Sequence, residues 1–87
     1  MLNLQPSGQT LSALSDEIVR ARIKFPGNRF LYTALCEELG ELARAILQKE
    51  GRERVRAEAL QVACVAIRLY EEDDPAYDDL TDEEAKP

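Results

Sequence analysis

The chain falls into three blocks in which apolar residues recur at intervals of three and four, the period of a helix with one buried face. In the first block the stripe is Leu11, Leu14, Ile18, Ala21 and Phe25. Ser7 or Thr10 is placed to cap its start, and Pro26-Gly27-Asn28 stops it after about Lys24. The second block runs from about Arg29 to Glu50, with Leu31, Leu35, Leu39, Leu42 and Ile46 as its stripe. Asn28 is a candidate cap before it, and Gly51 stands where a C-terminal cap belongs. The third block, from about Glu53 to Glu71, ends ahead of Asp73-Asp74-Pro75. No strand alternation, internal repeat or phosphate-cradling glycine loop interrupts this order. The predicted fold is all-α: a helical hairpin closed around Gly51-Arg52, preceded by an N-terminal helix.

The third block changes the picture, because it is apolar around most of its circumference. Val55, Ala59, Leu60, Val62, Ala63, Cys64, Ala66, Ile67, Leu69 and Tyr70 leave only a narrow polar strip. Such a helix asks for more burial than a three-helix unit supplies, and a chain of 87 residues has a marginal core of its own. The expectation is therefore a homo-oligomeric helical bundle, dimer or tetramer. Gly40, in mid-helix at a cost of about 1 kcal/mol relative to alanine, fits close approach of another helix. The polar strip holds Arg54, Glu58, Gln61 and Arg68, with Val65 interrupting it. Either it is the one wet face of the helix, or it is turned towards the second helix across the hairpin.

Charge divides the chain. The net charge is −6, yet residues 1–70 carry ten Lys/Arg against eight Asp/Glu, whereas residues 71–87 carry nine acids and one lysine. Residues 1–72 are thus expected to form the helical domain, and 73–87 an acidic, flexible tail or a loosely docked short helix. The body is too nearly neutral for a nucleic-acid binder. No stretch has the length and apolarity of a membrane span or the pattern of a signal peptide, so the expected location is the cytoplasm, with Cys36 and Cys64 as reduced, buried thiols. The chain has no histidine. That excludes Ser-His and Cys-His nucleophiles, histidine bases and His-ligated zinc. Carboxylates and a hard metal are the remaining equipment.

Those carboxylates are patterned. Residues 37–41 read EELGE and residues 58–61 read EALQ. Residues three apart lie on one side of a helix, so Glu38 pairs with Glu41, and Glu58 with Gln61. Glu41 lies about as far before the turn as Glu58 lies after it, so antiparallel helices bring the two boxes to similar heights. Glu38 sits on the shoulder of the leucine stripe, with the small side chains of Ala34 and Ala45 leaving space nearby, while Glu37 points nearer the opposite face. Carboxylates converging from facing helices are a means of holding Mg²⁺.

The segments KFPGNRFLYTALCEELGELARAIL and RAEALQVACVAIRL resemble the MazG-like, all-α nucleoside triphosphate pyrophosphohydrolase superfamily, over about residues 14–72. That family carries E-x-x-E, a variable spacer and E-x-x-D on a hairpin that dimerises; here sixteen residues separate Glu41 from Glu58. The resemblance implies Mg²⁺-dependent (or Mn²⁺-dependent) hydrolysis of a (deoxy)nucleoside triphosphate to monophosphate and pyrophosphate, of house-cleaning type. It implies Glu38, Glu41, Glu58 and Gln61 as metal ligands. Glu38 and Glu41 are then the catalytic candidates, with Glu37 or Glu41 as the base. Arg54, Arg68 and Lys49 are the candidates for substrate contact. Phe30, Tyr32 and Tyr70 are candidates to stack a base or to fill the core. The departure is Gln61, where the family has an acid: its amide oxygen can ligate Mg²⁺ but is neutral and cannot act as a base. The alternative that follows is a relative with weakened catalysis, kept as a nucleotide-binding or protein-interaction dimer.

Overall fold

A computed structural model describes residues 3–79, and its elements are all helical: α1 (Gly8–Lys24), α2 (Leu31–Leu47), α3 (Arg52–Glu72) and a 3₁₀ turn, η1 (Pro75–Asp79). Ser7 caps α1, its hydroxyl accepting from the Thr10 N–H at 3.0 Å. The α2–α3 turn closes without glycine at the first helix's C-cap. Lys49 takes the left-handed conformation at φ 53°, and the Lys49 and Glu50 N–H groups return to the carbonyls of Ile46 and Ala45. Gly51 instead starts α3, at φ 107°, where a side chain would be strained. None of the described helices is long and apolar enough to cross a membrane.

The central element is α3. It packs against α2 on one side and α1 on another, while α1 and α2 make no contact with each other. Ile18, Leu31, Ala45 and Cys64 are the buried apolar residues. The face that α2 turns to α3 is not centred on the leucine stripe. Its less exposed positions are Leu31, Ala34, Leu35, Glu38, Leu42 and Ala45, which places Glu38 in the middle of the face. Leu39 and Ile46, at 47% and 54% exposure, look away from the chain's own core, and Cys36 is exposed rather than buried. Phe25 is also exposed. A Cβ on Gly40 would meet nothing within 4 Å, so no described helix of this chain approaches it.

Most of the polar strip of α3 is turned inward: Glu58 and Arg68 are buried and Gln61 half-buried, while Arg54 at its start is exposed, so the strip is not one wet face. Arg68 is 4% exposed, and its guanidinium donates to the carbonyls of Ala21, Phe25 and Gly27 at the open end of α1 and to both oxygens of Glu72. Arg22 of α1 reaches the same Glu72, at 2.7 Å, and Glu71 beside it. This is how a helix with no contact to α2 is fixed in place.

Of the two expectations for the acidic segment, residues 73–79 follow the short docked helix, with η1 at Pro75–Asp79; residues 80–87 lie outside the described residues. Asn28 does not cap α2 but donates its amide to the carbonyls of Glu72 and Asp73. The cap comes from the far end of the hairpin: the buried Asp74 carboxylate accepts from the N–H groups of Phe30 and Tyr32 at 2.9 and 3.0 Å. The Tyr32 N–H, ahead of those of Ala76 and Phe30, holds the Asp74 carboxyl below its ordinary range. Arg29 pairs with Asp79 to fasten the end of η1.

The Arg68 hydrogen bonds, with help from Arg22, hold the Glu72 carboxyl at about 2 against an ordinary 4.5. Because the folded value lies below the unfolded one, this stabilisation is complete above about 4.5 and is lost as pH falls towards about 2. The urea midpoint of the native chain should therefore drop across that window. Glu72→Gln should cost about 3 kcal/mol at neutral pH and flatten the acid limb of the curve. Parallel acid limbs for the two proteins would show that the Glu72 pair does not control acid stability.

Candidate metal centre

Two helices converge on the mid-height of the hairpin with carboxylates facing each other. One carboxylate oxygen from each of Glu38, Glu41 and Glu58 lies within 4.8 Å of the other two. Their environments differ. Glu58 is buried at 7% exposure, Glu38 is half-buried, and Glu41 is exposed at the rim. Each helix supplies its members through the three-residue spacing, and the short turn sets the two helices at matching heights.

The cluster is short of donors. Oε1 of Glu58 is paired with Nη2 of Arg54 at 3.1 Å, but Oε2 of Glu58 and Oε2 of Glu38 are buried with no hydrogen-bond partner among the described residues. A buried carboxylate oxygen without a donor is costly, and two of them beside each other repel as well. Burial pushes the Glu38 carboxyl above its ordinary range, and the neighbouring Glu41, Glu58 and Glu37 push it the same way. An oxygen-only donor set with no histidine or sulfur in it suits a hard divalent cation such as Mg²⁺ or Mn²⁺ rather than zinc or copper.

Gln61 lies one turn after Glu58 and lines the same groove as Glu38. That groove, of about 370 Å³, runs between α1 and α2 over α3 and is also lined by Ala21, Ala34, Glu37 and Cys64. Burial raises the Cys64 thiol above its ordinary range, which leaves it without thiolate reactivity there.

Of the three cations expected to meet substrate, only Arg54 touches a carboxylate of the cluster. Arg68 lines the groove, but its guanidinium is spent on the α1 carbonyls and Glu72. Lys49 sits in the hairpin turn, beside Arg52 and Arg56, around a separate depression. Phe30, Tyr32 and Tyr70 are exposed, so the core is not their place.

One residue escapes the box pattern. Glu17, on α1, accepts a 2.6 Å hydrogen bond from Nε2 of Gln61 and is itself held by Arg20 at 2.6 Å. Its signal was present: Glu17 lies three residues after Leu14 and four before Ala21, a carboxylate set inside an apolar stripe.

The unpartnered carboxylates make a stability prediction. Glu38 carries a raised folded pKa, so its penalty is present at neutral pH and is relieved as pH falls to the unfolded carboxylate value, opposite in sign to Glu72. In chelator at neutral pH, Glu38→Gln should stabilise the chain by about 1 kcal/mol, read from the urea midpoint. A destabilised variant would mean that Glu38 has donors in solution that the structure does not show. Compared with protein-family models, characterised proteins and solved structures, the chain finds no match.

Proposed function

We propose that this chain is a Mg²⁺-dependent nucleotide pyrophosphohydrolase that cleaves a nucleoside or deoxynucleoside triphosphate to the monophosphate and pyrophosphate. The observation that carries the reading is the pair of buried, donorless oxygens on Glu38 and Glu58, set within 4.8 Å of a third carboxylate. A stability-driven core would have supplied them with donors or replaced them with apolar groups. The resemblance of the two boxes to the pyrophosphohydrolase motif supplies the reaction class.

Glu38, Glu41 and Glu58 would hold the cation, and Gln61 would offer a neutral oxygen beside them. When bound, Mg²⁺ or Mn²⁺ supplies charge neutralisation on the phosphates and a lowered pKa for a coordinated water. The chain's own residues do the rest. Glu41, exposed at the rim, is placed to take a proton from water on the solvent side. Arg54, already in contact with Glu58 and half-exposed, can swing between that carboxylate and a phosphate. The groove between α1 and α2 receives the nucleotide, with Phe30 at its mouth as an exposed stacking surface.

A second copy completes the unit in this reading. Tyr32, Cys36, Leu39, Ala43 and Ile46 are exposed on α2 at alternating intervals of four and three, the spacing of a helix-pairing seam. On α3, Ala59, Ala66 and Tyr70 are exposed as well. Small residues there let a partner helix approach closely.

Two measurements test the proposal. Purified protein incubated with a panel of triphosphates in Mg²⁺ or Mn²⁺ should release monophosphate and pyrophosphate. Glu38→Gln should lower turnover by about 100-fold or more, since it replaces a charged cation ligand with a neutral one. No release from any triphosphate, or release indifferent to Glu38, would end the enzymatic reading. Leu39→Glu should convert a dimer into a monomer in sedimentation velocity; a native chain already monomeric at high concentration would remove the second copy from the proposal.

A further inference from the structure

We infer that Glu17 is a positioning residue of the carboxylate site, fixing the Gln61 amide so that its oxygen serves as a neutral fourth ligand while Glu17 supplies the negative charge that position 61 lacks. The inference deepens the metal-site reading and rests on it.

The geometry is specific. An ionised carboxylate only accepts hydrogen bonds, so the edge of the Gln61 amide facing Glu17 must be its NH₂. The 2.6 Å contact from Nε2 to Oε1 of Glu17 leaves the amide oxygen on the opposite edge. That oxygen accepts no hydrogen bond among the described residues. Gln61 stands one turn from Glu58 and shares the groove with Glu38, whose buried oxygen also lacks a donor. Glu17 does not swing freely, because its other oxygen is gripped by Arg20 and its side chain is only 14% exposed. An outer carboxylate that holds one edge of an amide orients the opposite edge and raises its donor strength, and this is the role the inference gives to Glu17.

The same contact accounts for an amide at position 61. A glutamate there would meet Glu17 at hydrogen-bonding distance, and the two could remain together only by sharing a proton. With Glu17 supplied from α1, the fourth acid has moved to a different helix and acts through glutamine. The packing of α1 on α3 thereby becomes part of the site, in addition to being a structural contact.

The test is Mn²⁺ affinity of the full chain, read from the free-ion signal in electron paramagnetic resonance, with the urea midpoint as control. Glu17→Gln should weaken binding by about 10- to 100-fold while leaving the helical signal intact. The exchange variant Glu17→Gln/Gln61→Glu restores both the hydrogen bond and the charge, and should recover most of the lost affinity. Native affinity in Glu17→Gln, or an exchange variant no better than the single one, overturns the inference and leaves Glu17 as a tether of α1. Should Glu17→Gln fail to fold, the exchange variant decides alone, with affinity near native supporting the inference and a loss beyond about tenfold overturning it. Absence of Mn²⁺ binding by the native chain, with Glu38→Gln unchanged from it, removes the metal site and this inference together. Binding that depends on Glu38 but not on Glu17 removes this inference alone.

Discussion

The buried guanidinium of Arg68 is the interaction on which the arrangement of helices depends. Without contact to α2, α1 has only α3 to hold it, and the hydrophobic part of that interface centres on small or single side chains such as Ile18 and Cys64. Arg68 donates to the carbonyls of Ala21, Phe25 and Gly27 at and just beyond the end of α1 and closes on Glu72. Such a group has no apolar substitute, since the carbonyls need donors whatever else fills the space. Asp74 does the complementary work a few residues on, accepting from the N–H groups that open α2. Both ends are therefore bound to the C-terminal turn of α3, one by a cation on carbonyls and the other by an anion on amides.

This placement has a consequence for the site. With α1 and α2 anchored to α3 at one end and free of each other, the space above the middle of α3 remains a groove rather than closing into a three-helix core. Glu38, Gln61 and Glu37 line it, with Glu58 and Glu41 adjoining Glu38. The stabilising polar network and the uncompensated carboxylates are thus separated along α3: Arg68 and Glu72 lie towards its end, and Glu58 nearer its start. A fold can carry two donorless carboxylate oxygens where the elements presenting them are held elsewhere.

How much of this was legible in the sequence follows from what each signal depends on. Helix boundaries came from local periodicity and punctuation, and α1 and α3 end within a residue or so of the expected places. Capping by distant residues was not legible. Nothing near Phe30 announces that its cap is Asp74, forty-four residues on, and the acidic composition of 71–79 reads as solvent-seeking until its partners are in view. The Glu38–Glu41–Glu58 grouping was legible because it requires only helical spacing and a short turn. The orientation of α2 was not, since an apolar stripe shared between two neighbours has its strongest positions between the two faces. Leu39 and Ile46 belong to the unpaired face, which is why the stripe's centre leaves Glu38 on its shoulder. Arg68 was misassigned to substrate because a cation on an otherwise apolar helix has two uses, and only the tertiary fold separates a buried hub from a ligand contact.

The charge balance around the cluster ties these points together. Arg54 neutralises one oxygen of Glu58, and Arg20 neutralises one of Glu17, yet Glu38 has no paired cation among the described residues. Both arginines stand on the solvent side of their carboxylates, at 53% and 69% exposure, so each grips its partner from outside, and the second oxygen of Glu17 is taken by the Gln61 amide. Exposed pairs of this kind are worth little to stability. Their effect is directional: each holds one oxygen of its carboxylate, beside a cluster in which Glu38, Glu41 and Glu58 bring oxygens within 4.8 Å of one another. A cation entering there would meet oxygens already oriented and would find the repulsion among them converted into attraction. The repulsion among these carboxylates is a cost to the fold, and the tethers at the end of α3 are what allow the chain to keep it.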